Sequence, residues 1–348
     1  MKRIAVVLGA LVVVVVLAEV GARAFSPYLP EPSLWTDDTT TVKVAQLDAR
    51  DCVDLVFAGN SMTRDGLDPV VFGEGDPEAR STYNAALDAA TPALLEQWVL
   101  DEVDPRVDPD GVVLGLSSFD LNDNAAIGQS ALDAYDAAPL SRDDIFGRLQ
   151  APFIEHLDLF RYRNQLRDPE VVWHGLGAWR DGDREPRLGP EGLDGLLGPD
   201  GQGLSRRELT YEAGPLTERF AQNELLNDFH LGGEQTAAAD DLLAELADRD
   251  VDTAVVVLPV TQDYVDLHPG GAAQYDEFLA LAERIATENG ADFIDLHDLA
   301  PDDSWFADTH HLNATGATGL SEALPALLGP DFAQGERCDN REGPAAGE

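Results

Sequence analysis

The chain has 348 residues, is 44% hydrophobic, and sets 65 acidic against 23 basic side chains, a formal net charge of -42. That length fits one large α/β domain with an insertion, or two small domains, and the apolar fraction suffices for a packed core. Nucleic acid is excluded as a partner, because so acidic a surface repels phosphates.

Lys2 and Arg3 precede an uncharged run, Ile4–Ala18, reading IAVVLGALVVVVVLA, followed by Glu19 and Val20–Ala22. The run suits a signal-peptide core, and counted through Ala22 it reaches the minimum for a spanning helix. Basic residues stay inside, which sends the remaining chain outward. The expectation is a transmembrane helix over 1–24 that holds an extracytoplasmic domain at the cell membrane. Cleavage near Ala24, at Ala22-Arg23-Ala24, would instead secrete it. Phe25–Asp51 contains three prolines and the run TDDTTT and reads as a juxtamembrane linker over 25–51.

A domain over 52–330 follows. Apolar runs of strand length occur at Val53–Ala58, Thr82–Ala86, Gly111–Leu116, Thr253–Val260 and Ala291–Leu296. Helical spacing occurs at Pro92–Val103, within Asp120–Tyr135, at Glu234–Asp248, at Ala272–Asn289 and at Gly316–Leu328. Strands separated by helices imply an α/β fold of three layers, α/β/α, with a parallel sheet covered on both faces. The rhythm breaks over 140–230, which holds helical pieces such as Phe153–Arg167 and 11 of the 23 basic residues. This stretch reads as a mainly helical insertion, either a substrate-contacting lid or exposed helices with Arg–acid pairs. The tail over 331–348 is polar and loose. Cys52 precedes the first strand and Cys338 follows the last helix, so the two cysteines either pair or remain free thiols.

In an open parallel sheet, sites form outside the carboxyl ends of the strands. The first strand ends in Gly59-Asn60-Ser61, the third in Gly115, Ser117 and Ser118 with Asn122 beyond, and the last is followed by Asp308-Thr309-His310-His311. A serine hydroxyl attacks poorly unless an imidazole takes its proton and a carboxylate orients that imidazole. Asp308 and His311, three residues apart, meet in one helical-type turn, leaving the second ring nitrogen for Ser61. Backbone N–H groups after Ser61 are candidate oxyanion donors. Asp308, His310 and His311 lack a third well-spaced partner for a metal, so no metal and no cofactor is expected.

The blocks Gly59-Asn60-Ser61-Met62-Thr63 and Asp308-Thr309-His310-His311-Leu312-Asn313, in that order, resemble those of the SGNH (GDSL-type) hydrolase superfamily. The resemblance covers roughly Cys52–Pro139 and Gly232–Leu328. It implies a flavodoxin-like SGNH fold, with Ser61 as nucleophile and Asp308 and His311 completing the triad. The family's oxyanion glycine corresponds to Ala89 here, which retains the backbone N–H. Its asparagine after the third strand corresponds to Ser117, with Asn122 as the other amide available; Asn60 supports the nucleophile. One N-terminal span before such a domain, and the loop LPVTQDYVDLHPGG, resemble membrane-anchored SGNH-like proteins of cell-envelope modification. That implies an esterase or O-acyltransferase acting on an envelope glycan or lipid-linked acceptor, with a multi-span protein delivering acyl groups. The altered middle blocks imply the other reading, a weakened SGNH-like binding or assembly protein.

Overall fold

Five short aliphatic runs pair into one sheet: β1 (Leu55–Gly59), β2 (Thr82–Asn84), β3 (Gly111–Leu116), β4 (Asp252–Val257) and β5 (Asp292–Asp295). All pairings are parallel and the order is β2-β1-β3-β4-β5, the flavodoxin-like doubly wound order. β1 and β3 are buried along their whole length, as strands covered on both faces must be. The computed structural model describes residues 2–32, 34–140, 145–185, 187–211, 215–334 and 338. The chain divides into two compact units, one of Met1–Thr41 with Ala134–Leu188, the other of Val42–Asp133 with Gly189–Glu348.

The larger unit carries the sheet. Helices Pro92–Gln97, Glu234–Asp248 and Ala272–Glu288 pack as one group, and Ser61–Gly66, Pro69–Gly75 and Ala314–Leu328 as another. Right-handed crossovers distribute helices to the two faces in this way, giving the three layers expected. β4 stops at Val257 and not Val260, because Pro259 has no N–H for the ladder. The helix expected over Pro92–Val103 widens into a π-helical turn at Trp98–Val103 before helix Asp104–Val107. Pro105 is the cause: lacking an N–H, it leaves the preceding turn without its usual donor.

Residues 25–51 are more ordered than a linker. Asp37 accepts the Thr40 N–H at 2.6 Å, so the run TDDTTT caps helix Asp38–Asp48. From that helix, fully buried Lys43 donates to the carbonyls of Asn84 and Gly201. Gln46 Nε2 donates to Gly198 O at 2.9 Å. The expected insertion is split as well. Helices Ile145–His156, Asp158–Arg161 and Pro169–Asp181 belong to the smaller unit, whereas 189–230 belongs with the sheet.

In the smaller unit, helix Lys2–Phe25 contains the candidate membrane span Val7–Tyr28, of mean hydropathy 2.2. Its apolar side chains are exposed from Val7 to Val20, as in either a membrane span or a signal sequence.

The question about the cysteines resolves in favour of a bond. Cys52 and Cys338 form a disulfide across 286 residues, with Cα atoms 5.5 Å apart. The bond ties the start of the sheet domain to its end and restricts the unfolded chain. Cys52→Ser is expected to lower unfolding free energy by roughly 2–5 kcal/mol, read from urea denaturation. Cys338→Ser should match it and the double variant should add nothing. An unchanged midpoint would contradict a structural role for the bond.

Candidate active site

The position of Ser61 is set by two glycines. Gly59 ends β1 at φ 149° and pairs in register with Gly115 of β3. A Cβ on Gly59 would lie 2.2 Å from Thr63 Oγ1, and one on Gly115 would lie 2.1 Å from the same atom. Only glycine at both positions lets the helix Ser61–Gly66 settle onto the strand ends. Asn60 caps that helix, its Oδ1 accepting the Met62 N–H at 2.6 Å. Ser61 is therefore the first residue of the helix, with its side chain 9% exposed.

Asp308 and His311 reach Ser61 from a loop, not from a helical turn. An antiparallel bridge between Phe306 and Leu312 closes the loop, and Ala307 N–H donates to His311 O at 2.8 Å. Thr261, beyond β4, anchors it by donating its N–H and hydroxyl to Thr309 O. Asn313 then caps helix Ala314–Leu328. Within the loop, Asp308 Oδ1 accepts the N–H groups of His310 and His311 at 3.0 and 2.8 Å.

The resulting contacts form a line. Ser61 Oγ lies 2.8 Å from His311 Nε2. His311 Nδ1 lies 2.7 Å from Asp308 Oδ2. With Nδ1–H donating to the carboxylate, Nε2 is left as the acceptor for the serine proton. Burial pushes the Asp308 carboxyl up, but the hydrogen bond and charge of His311 outweigh it and hold the group well below the usual carboxylate range. Asp308 thus stays ionised, a charge able to orient the His311 ring. His310 is buried, and burial together with His311 pushes its pKa down to about 3. The ligand-capable atoms of Asp308, His310 and His311 lie within 4.8 Å of one another, so these three are closer than the sequence suggested. Asp308 and His311 are already bonded to each other and, through His311, to Ser61.

The supporting residues divide. Ala89 is half-buried with φ 54°, the left-handed region, where a glycine fits most easily. Leu87 N–H donates to Gly59 O at 3.0 Å, which sets the adjoining loop beside the end of β1. Among the described residues, the N–H groups of Ser61 and Ala89 have no hydrogen-bond partner, so both are free to donate to a substrate oxygen. Asn60, Ser117 and Asn122 are not. Asn60 Nδ2 donates to both oxygens of Asp120, at 2.7 and 2.8 Å. The Ser117 N–H and hydroxyl donate to Asp120 Oδ2 at 2.7 and 2.9 Å. Asn122 Nδ2 donates to Leu225 O at 2.8 Å, and its Oδ1 accepts the His230 N–H. The side-chain donors of these three residues are taken by protein groups in this structure, so the Ser117 hydroxyl and the Asn122 amide do not face an incoming oxyanion here, and Asn60 acts as support.

Asp120, absent from the candidates read from sequence, is the hub of this network. The Ser117–Asp120 spacing, S-x-x-D, is that of a capping box and was the available signal. Two arginines also emerge. Arg64 bonds Asp65 at 2.8 Å and reaches Asp88, next to Ala89. Arg206 bonds Asp65 and lies 3.7 Å from Asp308. Burial pushes the Asp65 carboxyl up, but Arg64, with His311 and Arg206, outweighs it and keeps the group below its ordinary range.

Burial pushes Asp120 up to about 7, against its hydrogen bonds from Asn60 and Ser117. In the unfolded chain an aspartate ionises at about 3.9. Between the two values the folded state holds the extra proton, so stability falls as pH rises from about 4 to about 7. Relative to Asp120→Asn, which does not titrate, the wild type should lose up to about 4 kcal/mol across that window. Denaturant midpoints at several pH values read this difference. Parallel curves for the two proteins would show that Asp120 does not titrate there.

No family model and no curated protein matches the chain. Solved structures similar to it include the acetyl xylan esterase AlAXEase, at 12% identity and TM-score 0.40, covering 79% of this chain and 100% of that one. A catalytic mutant of an acetylxylan esterase from Geobacillus stearothermophilus has 12% identity and TM-score 0.41, covering 80% of this chain and 95% of that one. A carbohydrate acetylesterase family member from Sinorhizobium meliloti has 13% identity and TM-score 0.34, covering 79% and 97%. At such distance the functional reading stands on this chain's own side chains: a hydroxyl, an imidazole and a carboxylate in line at the carboxyl edge of a parallel sheet.

Proposed function

We propose that the protein is a serine-dependent acyl-ester hydrolase or O-acyltransferase that works through an acyl-serine. The observation that carries this is the pair of contacts on His311, 2.8 Å from Ser61 Oγ on one nitrogen and 2.7 Å from Asp308 on the other. Both lie inside the range for a nucleophile and its oriented base.

The steps follow from that line. Ser61 Oγ bonds to the acyl carbonyl carbon as its proton passes to His311 Nε2. The carbonyl oxygen becomes an oxyanion and takes hydrogen bonds from the Ser61 and Ala89 N–H groups. Asp308 stabilises the imidazolium. The bond to the leaving alcohol then breaks, and that oxygen takes the proton from His311, leaving Ser61 acylated. Water or a sugar hydroxyl next gives its proton to Nε2 as its oxygen bonds to the acyl carbon. The bond from that carbon to Ser61 Oγ then breaks, Nε2 returns the proton to Oγ, and a carboxylic acid or a new ester leaves. Hydrolysis and transfer share every residue up to that last acceptor.

The domain acts outside the cytoplasm in this proposal. Lys2 and Arg3 precede the apolar helix, and the disulfide suits an oxidising compartment. An acyl ester on an envelope glycan or lipid-linked acceptor is the substrate class such a location offers, and a multi-span acyl donor is the corresponding partner. The reading of a weakened binding protein loses its motive in part, because Ala89 keeps an unpartnered N–H in the left-handed conformation expected of a glycine.

A fluorophosphonate probe on the full-length protein should label Ser61 alone, and Ser61→Ala should abolish labelling. Turnover of p-nitrophenyl acetate should fall by about 10³-fold or more in Ser61→Ala and His311→Ala, and comparably in Asp308→Asn. Labelling that survives Ser61→Ala would overturn the nucleophile. A wild type that neither labels nor turns over would favour the binding reading. Activity abolished by EDTA would count against the metal-free triad and for a metal-dependent reading, with Asp308, His310 and His311 the residues to test.

A further inference from the structure

The smaller unit exposes large aromatic side chains that the chemistry above does not use. Trp173 is 75% exposed and Trp179 58%. Leu176 lies between them, so the three follow at three-residue intervals along one face of the helix Pro169–Asp181. Leu149 and Phe153, four residues apart on the helix Ile145–His156, are also exposed. Single exposed apolar residues need no explanation, but a helix stripe with two tryptophans and a leucine, in the same compact unit as a second exposed apolar pair, marks a contact surface.

The same unit contains the apolar helix, and these helices are fastened to its carboxyl end. Glu19 accepts the N–H groups of Asp158 and Leu159 at 3.1 and 3.0 Å. Arg23 Nη2 donates to His156 O at 2.7 Å, and Ser26 Oγ to Asp158 at 2.6 Å. Gly175 sits against the next turn, where a Cβ would come within 2.7 Å of Leu29 and 3.0 Å of Phe25. The exposed aromatic face is thus continuous with the point where the candidate span ends. Its charge also differs from that of the chain. Residues 134–188 hold eight arginines against ten acids, where the whole chain has 23 basic residues against 65 acids. An anionic surface that repels the rest of the protein does not repel this part.

We infer that Trp173, Leu176 and Trp179, with Leu149 and Phe153, form a surface that lies in the membrane–water interface, against lipid, at the end of the span. The inference rests on helix Lys2–Phe25 crossing a bilayer. Tryptophan suits the position, since its ring is apolar and its N–H seeks the wet side. Arginines such as Arg167 and Arg184, exposed on the same unit, meet lipid phosphates there.

The test reconstitutes full-length protein into protein-free phosphatidylcholine vesicles, with and without lipids brominated near the headgroup end of their chains. Helix Lys2–Phe25 contains no tryptophan, so quenching reports other parts of the chain. Bromolipid should quench the wild type strongly, and Trp173→Phe with Trp179→Phe should remove at least half of that quenching while far-UV circular dichroism stays unchanged. Carbonate extraction reports separately on the span. Protein that resists carbonate but is not quenched would overturn the surface while leaving the span intact, and would return the patch to a protein partner. Protein released by carbonate and not quenched would overturn both.

Discussion

A serine and a histidine 250 residues apart can share a proton only if the fold brings both to one edge of one sheet. The parallel order β2-β1-β3-β4-β5 does this, because every strand then ends at the same edge and every connection returns beneath it. The glycine pair at the ends of β1 and β3 completes the requirement. It lets a helix start directly on the strand end, so Ser61 faces the loop that follows β5. A side chain at Gly59 or Gly115 would meet Thr63 of that helix at 2.2 or 2.1 Å, so the helix that carries Ser61 could not keep its seat on the strand ends.

Around that line, charge is used in opposite ways. Asp308 is kept ionised by an imidazole, and Asp65 by two arginines, one of them from the segment after residue 189. Among the described residues Asp120 has neutral donors and no cation beside it, so burial dominates and raises the group to about 7. The protein tolerates that cost because Asp120 locks Asn60, and Asn60 caps the helix that carries Ser61. The wider charge pattern is segregated too: nearly all the acidic excess lies in the sheet-bearing unit, while the unit with the apolar helix is close to balanced.

The residues legible in the sequence were those whose chemistry is local or ordered along the chain. Strand runs such as GVVLGL and the helix Glu234–Asp248 declared themselves by period. Ser61, Asp308 and His311 were legible because a strand-ending serine and an Asp-x-x-His before the last helix stand in a recognisable order. Direction was not legible. Ser117 and Asn122 are polar residues near the right strand end, yet their amide and hydroxyl groups turn toward Asp120, Leu225 and His230, partners fixed only by tertiary structure. Lys43 lay in a segment that read as a linker, and only its two buried carbonyl partners reveal it as part of the core. The positive φ of Ala89 is invisible in its letter, since alanine rarely adopts it.

The central claim is that Ser61 becomes covalently acylated. Acid quenching during turnover of p-nitrophenyl acetate, followed by mass spectrometry of peptides, measures this directly. The account predicts one acetyl group on the peptide containing Ser61, lost over time as the ester is hydrolysed and absent in Ser61→Ala. Turnover with no acetylated peptide, or with the acetyl group on another residue, would contradict it.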